Sequence, residues 1–68
     1  MIKYEPHQQR VVVESNELND KIEKLSEFIE SDNFKNVVKD EEERFRLRKQ
    51  EFLMIEYNDV LIDRINNF

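Results

Sequence analysis

The sequence predicts an all-α protein, an antiparallel and coiled-coil-like two-helix hairpin that assembles into a homo-oligomer. It contains no glycine and one proline, and 40% of its residues are charged, which favours long helices over a turn-rich β fold. Its 68 residues allow a single domain, 1–68. A domain of this size buries too small a fraction of its surface to be comfortably stable alone, and without cysteine it has no disulfide to help. Oligomerisation is the remaining source of burial.

The first helix is predicted over residues 6–30, after a short arm at residues 1–5. Pro6 suits the first helical turn, because its missing N–H loses no intrahelical hydrogen bond there. Ser15 interrupts the apolar seam of this helix, which indicates a small or wet layer. The seam has coiled-coil-like spacing and consists of Val11, Leu18, Ile22, Leu25 and Ile29.

The connection at residues 31–39 is predicted to be short, with an irregular course or one helical turn. It opens on a serine, an aspartate and an asparagine, whose side chains compete with a helical backbone for hydrogen bonds. The apolar residues that follow are expected to plug the end of the hairpin, and they are Phe34, Val37 and Val38.

The second helix is predicted over residues 40–67. Asp40 is a good N-cap, and Glu43 falls at the capping-box position. The two glutamates between them favour the positive end of the helix dipole. Because the connection is short, the two helices most simply form an antiparallel hairpin.

The second helix is apolar on several sides, whereas the first offers only a narrow seam. A helix that is apolar on several sides is normally buried on several sides. A simple hairpin leaves part of the apolar surface of the second helix in water. We therefore expect an interface with other copies or with another protein. The alternative is that the first helix and the connection wrap further around the second. The residues predicted at the oligomer interface are Phe45, Phe52, Ile55, Ile62, Ile65 and Phe68.

Composition and motifs exclude several classes of function. The net charge of −5 disfavours direct binding to DNA or RNA backbones. The sequence has neither a long apolar run nor a charged-then-apolar leader, so we expect a cytoplasmic protein without membrane contact. It has no Gly-rich phosphate loop, no HExxH and no nucleophile beside a base, and the single His7 cannot build a zinc centre alone. We expect no enzyme activity, no cofactor and no metal site.

A basic run opens the second helix. Arg44, Arg46, Arg48 and Lys49 are interleaved with Phe45 and a leucine. One interpretation is a solvated face that exchanges ion pairs with nearby glutamates. The other is a phosphate-binding site in which an aromatic ring stacks on a base. Both interpretations stay open at this point.

The N-terminal phrase HQQRVVVESNELNDKIEKLSEFIES also suggests a family, together with Phe34 and the spacing of Met54, Tyr57, Leu61, Arg64 and Ile65. It resembles a family of short phage and prophage proteins that are described as related to a crAss-like phage protein. The resemblance covers roughly residues 7–65. The sequence departs from the family pattern around residues 37–49, where the family is richer in leucine and glutamine, so the family does not support the basic run.

The resemblance implies a small phage accessory protein in the host cytoplasm, a setting in which counter-defence is common. The predicted architecture is similar in kind to phage sponges that sequester nucleotide immune signals. The leading hypothesis is therefore a non-enzymatic oligomer that binds a cyclic oligonucleotide or an ADP-ribose-derived signal at a subunit interface. Candidate ligand-binding residues are Tyr4, His7, Gln9, Arg10, Lys24, Arg44, Arg46, Arg48 and Tyr57.

Two other functions stay open. The first is an acidic inhibitor that binds a host or defence protein. Its acidic face on the first helix consists of Glu17, Asp20, Glu23, Glu27 and Glu30. The second is a structural or assembly helper that acts through the coiled-coil-like seam.

Overall fold

The computed structural model describes residues 3–68 and shows three helices. Helix α1 is Pro6–Glu30, the short α2 is Phe34–Val37, and α3 is Glu41–Asn66. The two long helices pack against each other in antiparallel orientation along a molecule of 47 × 17 × 14 Å. The prediction of an all-α chain with two long packed helices is confirmed. The first two residues of the predicted arm lie outside the described residues.

Local hydrogen bonds set the helix ends. The Glu5 N–H donates to Gln8 Oε1 at 2.8 Å across the first turn of α1. Asp40 is the N-cap of α3, as its position in the sequence predicts, and its carboxylate accepts from the Glu42 N–H at 3.1 Å. The Glu43 carboxylate does not complete a capping box, because it accepts from Arg46 Nε at 3.4 Å instead.

The interface between α1 and α3 contains a polar layer. The Ser15 hydroxyl donates to Asn58 Oδ1 at 2.8 Å, and these residues are only 7% and 6% exposed. Nearer the connection, the Ser26 hydroxyl donates to the Glu51 carboxylate at 2.6 Å. Each pair has one partner per helix, so together they define the register of the hairpin. Ser15 therefore occupies the small polar layer that the seam pattern predicts.

The connection is closed by one ring. Phe34 is buried, packs edge-on against the Phe28 ring with centroids 5.3 Å apart, and lies beneath the Arg48 guanidinium at 5.4 Å. Val38 is half-buried, but Val37 is exposed. The predicted plug therefore consists mainly of Phe34, because the single turn of α2 directs Val37 to solvent.

The side of α3 away from α1 retains much apolar surface. Phe45, Phe52, Ile55 and Ile62 are 68%, 59%, 40% and 43% exposed, so α1 and the connection do not wrap around them. Ile65, predicted with this group, instead lies half-buried in line with Leu61 on the stripe that faces α1.

The last predicted interface residue, Phe68, contacts the Tyr4 ring edge-on, with the two centroids 6.1 Å apart. Neither this contact nor the exposed rings shows a second copy, so the oligomer interface stays a prediction. Within residues 3–68, no helix is both long enough and apolar enough to span a bilayer.

Candidate functional site

A groove runs along one flank of α3. It is shallow and open to solvent, with a volume of about 490 Å³. From Arg46 to Tyr57 it extends about 16 Å along the helix axis, at ~1.5 Å per residue. It is lined by Arg46, Lys49, Gln50, Leu53, Met54 and Tyr57.

One end of the groove is cationic. Arg46 forms exposed ion pairs with Glu43, at 3.4 Å, and with Asp40, at 3.6 Å. Lys49 lies one turn further along and forms no ion pair within residues 3–68. Exposed ion pairs of this kind contribute ~0–1 kcal/mol, so an anion in the groove can displace the carboxylates from Arg46 at small cost.

The other end carries an aromatic side chain held by α1. The Tyr57 hydroxyl donates to the Glu14 carboxylate, and the ring is about half exposed. This hydrogen bond raises the pKa of Tyr57, with smaller contributions from desolvation and from the charge of Glu14, while Arg64 acts in the opposite direction. The ring is therefore neutral, oriented by α1 and close to a further cation.

The middle of the groove is apolar. Leu53 is exposed and Met54 is half-buried against the hairpin. The Gln50 amide lies across the thioether of Met54, with Nε2 and Sδ 3.8 Å apart. An apolar floor with cations at one end and an oriented phenol at the other can contact a flat, anionic molecule along its length.

Two of the predicted ligand residues have structural contacts elsewhere. The Arg44 guanidinium donates to the carbonyl oxygens of Val38 and Lys39, at 2.8 and 3.0 Å, and so closes the turn before α3. Arg48 lies over the Phe34 ring. The basic run is thus divided among three locations, and of its cations only Arg46 and Lys49 line the groove.

The predicted ligand residues in the N-terminal region are separated as well. Tyr4 packs on Phe68 at the terminal end of the hairpin. His7 and Arg10 are exposed, lie in the i, i+3, i+7 row that leads to Glu14, and do not line the groove. The remaining two are exposed and do not line the groove, and they are Gln9 and Lys24.

The structure adds residues that were not among the sequence-based candidates. Lys49, Gln50, Leu53 and Met54 complete the groove, and Glu14 orients its tyrosine. Their spacing of three and four along α3 is visible in the sequence. The sequence alone does not separate these groove residues from the other rows of α3. They are recognised only when the side of α3 that packs on α1 is known.

Between residues 3 and 68, no group of three or more histidine, aspartate or glutamate side chains is placed to hold a metal ion. The chain also has no cysteine. The groove is therefore described by its cations, its phenol and its apolar floor alone.

Comparison with known proteins gives a match to a protein family. No curated protein and no solved structure matches the sequence. The model of the Sequestin family matches residues 5–67, which is nearly the whole chain. The family name is consistent with a sequestering function, but it makes no reference to a crAss-like phage protein, so that part of the resemblance stays a prediction. On this match, the chain belongs to the Sequestin family.

Proposed function

We propose that this protein sequesters a small anionic nucleotide signal, of the cyclic oligonucleotide or ADP-ribose type, in the groove of α3. It acts for a phage in the host cytoplasm as a counter-defence protein and catalyses no reaction. The observation that carries the proposal is the groove itself, where Arg46 and Lys49 border an apolar floor that ends at Tyr57. Membership of a family whose name denotes sequestration supports binding as the mode of action.

The charge distribution favours a small ligand over a polynucleotide. The chain carries a net charge of −5, so a long phosphate backbone meets repulsion over most of the surface. Within the groove, Arg46 and Lys49 provide a local cationic site that matches one or two phosphates. A base or ribose then lies along Leu53 towards the Tyr57 ring, where stacking is worth ~1–3 kcal/mol per base.

The groove is open towards solvent and is formed by one flank of one helix. A single protomer therefore contacts one side of a nucleotide and leaves the other side in water. Sites of high affinity bury most of their ligand's surface. We therefore include in the proposal that a second copy covers the open side, which places the ligand at a subunit interface.

The test is binding to two defined probes, a cyclic dinucleotide and ADP-ribose, by isothermal titration calorimetry. The groove variant is Arg46→Glu with Lys49→Glu, and the matched control is Lys35→Glu with Lys39→Glu. Both variants make the same change in net charge, but the control lysines lie on or after α2 and are exposed. We expect at least one probe to bind the wild type, with affinity at least tenfold lower in the groove variant and nearly unchanged in the control.

Native mass spectrometry of protein purified from infected cells extends the test to unknown ligands. A wild-type oligomer with extra mass of nucleotide size, absent from the groove variant, supports the proposal. If neither probe binds and no extra mass appears, the proposed function is wrong. Equal loss of affinity in the groove and control variants also contradicts it, since the effect is then one of overall charge.

One observation favours a second function, inhibition of a basic protein surface. All residues of the predicted acidic face of α1 are exposed, and none of its carboxylates forms an ion pair within residues 3–68. The members are Glu17, Asp20, Glu23, Glu27 and Glu30. A protein target whose affinity falls steeply with salt and is lost on replacing these residues by glutamine, with no nucleotide bound, favours this function over sequestration.

A further inference from the structure

A second row of α3 has the spacing of a coiled-coil seam but no partner helix within residues 3–68. Its members follow one another at intervals of three and four, and we call them the outer seam: Phe45, Arg48, Phe52, Ile55, Asp59 and Ile62. The apolar members are 40–68% exposed. On a helix with ~100° per residue, the outer seam is centred about 110° from the stripe that faces α1 and about 160° from the groove.

The outer seam is complementary to itself in one orientation. In an antiparallel pair of α3 helices centred between Phe52 and Ile55, these two residues lie opposite each other across the dimer axis. Phe45 then faces Ile62, and Arg48 faces Asp59. Each layer therefore joins a large ring to a branched aliphatic side chain, or a cation to an anion, and two-fold symmetry repeats every layer.

The same charges exclude the parallel arrangement. A parallel pair in register places Arg48 against Arg48 and Asp59 against Asp59, and like charges at an interface are costly. In the protomer, the Arg48 guanidinium already lies over the Phe34 ring, with Cζ 5.4 Å from the ring centroid. This leaves the N–H groups at its edge available to a carboxylate. Asp59 is exposed and has no ion-pair partner within residues 3–68.

The exposed area of the protomer has the size that such a contact needs. The accessible surface is 5618 Å² for a chain of 8.4 kDa, whereas a compact monomer of this mass exposes about 4,600 Å². The excess of about 1,000 Å² is close to the ~800 Å² that each partner contributes to a standard interface. The elongated shape, 47 Å by 17 Å, places this excess along the helices.

From these observations we infer that the protein forms a two-fold symmetric dimer through the outer seam, with α3 antiparallel to α3 of a second copy and two Arg48–Asp59 ion pairs across the interface. The two α3 helices lie at the centre of the dimer and the two α1 helices on the outside. Because the groove is on nearly the opposite side of α3, both grooves remain accessible. A copy that covers a ligand in the groove therefore belongs to a different pair.

The test is sedimentation equilibrium of the full chain with charge-reversed variants. The wild type is expected to be a dimer at micromolar concentration. In Asp59→Arg, each of the two Arg48–Asp59 ion pairs becomes a pair of arginines that repel each other. We therefore expect the dissociation constant of the dimer to rise at least tenfold. Adding Arg48→Asp in the same chain reverses both charges, and we expect this double variant to return to within threefold of the wild type. Circular dichroism verifies that each variant remains helical.

The outcomes separate this inference from the proposed function. A wild-type monomer at all concentrations, an unchanged constant for Asp59→Arg, or no recovery in the double variant overturns the antiparallel seam. Dimer dissociation caused by the groove variant Arg46→Glu with Lys49→Glu also overturns it, since self-association then uses the groove face. A stable seam dimer that binds no nucleotide supports the dimer and refutes the proposed function.

Discussion

The buried hydrogen bond between Ser15 and Asn58 offers the sharpest test of the hairpin. Both side chains are less than 10% exposed, and their 2.8 Å hydrogen bond forms a buried polar layer between α1 and α3. Asn58→Leu keeps the branching and the number of heavy atoms of the side chain but leaves the Ser15 hydroxyl without its partner in an apolar layer. A buried polar group left unpaired costs about 1–3 kcal/mol. Ser15→Ala leaves the larger Asn58 amide unpaired and is expected to cost at least as much.

The double variant, Ser15→Ala with Asn58→Leu, removes both polar groups and forms an apolar layer. Replacing both partners of a buried hydrogen bond by apolar groups can be nearly neutral. We therefore expect a coupling energy of about 1–3 kcal/mol that makes the double variant more stable than either single variant. For a domain of this size, ~1 kcal/mol corresponds to a change of about 4–8 °C in the melting temperature.

The assay is thermal and urea denaturation followed by circular dichroism. All four proteins are compared at one protomer concentration, because self-association makes the melting temperature concentration-dependent. If the effects of the two single substitutions simply add, or if neither single variant is destabilised, the Ser15–Asn58 layer does not hold the hairpin as described. Recovery of the double variant confirms that the two residues face each other and so fixes the helix register.

Three further predictions concern single sites. In a Tyr4→Phe background, absorbance titration at 295 nm follows Tyr57 alone, and Glu14→Gln should lower its midpoint, because the Glu14 carboxylate raises the pKa of the phenol. The stability from this contact is present below the ordinary tyrosine pKa of about 10 and is lost as pH rises through the raised value. Asp40→Ala should cost about 1 kcal/mol in urea denaturation through loss of the cap. Phe34→Ala, which removes a buried ring, should cost about 3–5 kcal/mol and broaden or abolish the thermal transition.

The long helices could be predicted from sequence because their signals are local. Pro6 at the start of α1 and Asp40 before α3 act within one turn, and both are found in these roles. The polar layer at Ser15 was also visible as an interruption of the seam. Its partner Asn58 was not identified, because pairing across the hairpin depends on the length and path of the connection. The exposure of Val37 likewise depends on the path of the connection, so the sequence did not predict it.

The groove could be predicted only in part, because basic residues close in sequence point to different sides of a helix. Arg44, Arg46 and Arg48 are two residues apart, so successive side chains diverge by about 160°. Arg44 donates a hydrogen bond to the turn before α3, and Arg48 lies over the Phe34 ring. Of these three arginines, only Arg46 lines the groove. The role of Glu14 depends on its contact with Tyr57 on the other long helix, and the residue spacing within one helix does not predict such a contact.

The apolar residues all around α3 are explained if the helix serves three partners. One sector packs on α1, a second forms the groove, and the third is the outer seam; the remaining narrow sector carries the exposed, charged Glu56 and Asp63. The groove and the outer seam share no side chains, so substitutions in one and in the other should have additive effects on stability and independent effects on ligand binding and on oligomer mass. The layer formed by Ser15 and Asn58 affects the groove indirectly, through the register of the two long helices. It sets the register that brings Glu14 to Tyr57, so its disruption should weaken the proposed nucleotide binding without changing any residue of the groove.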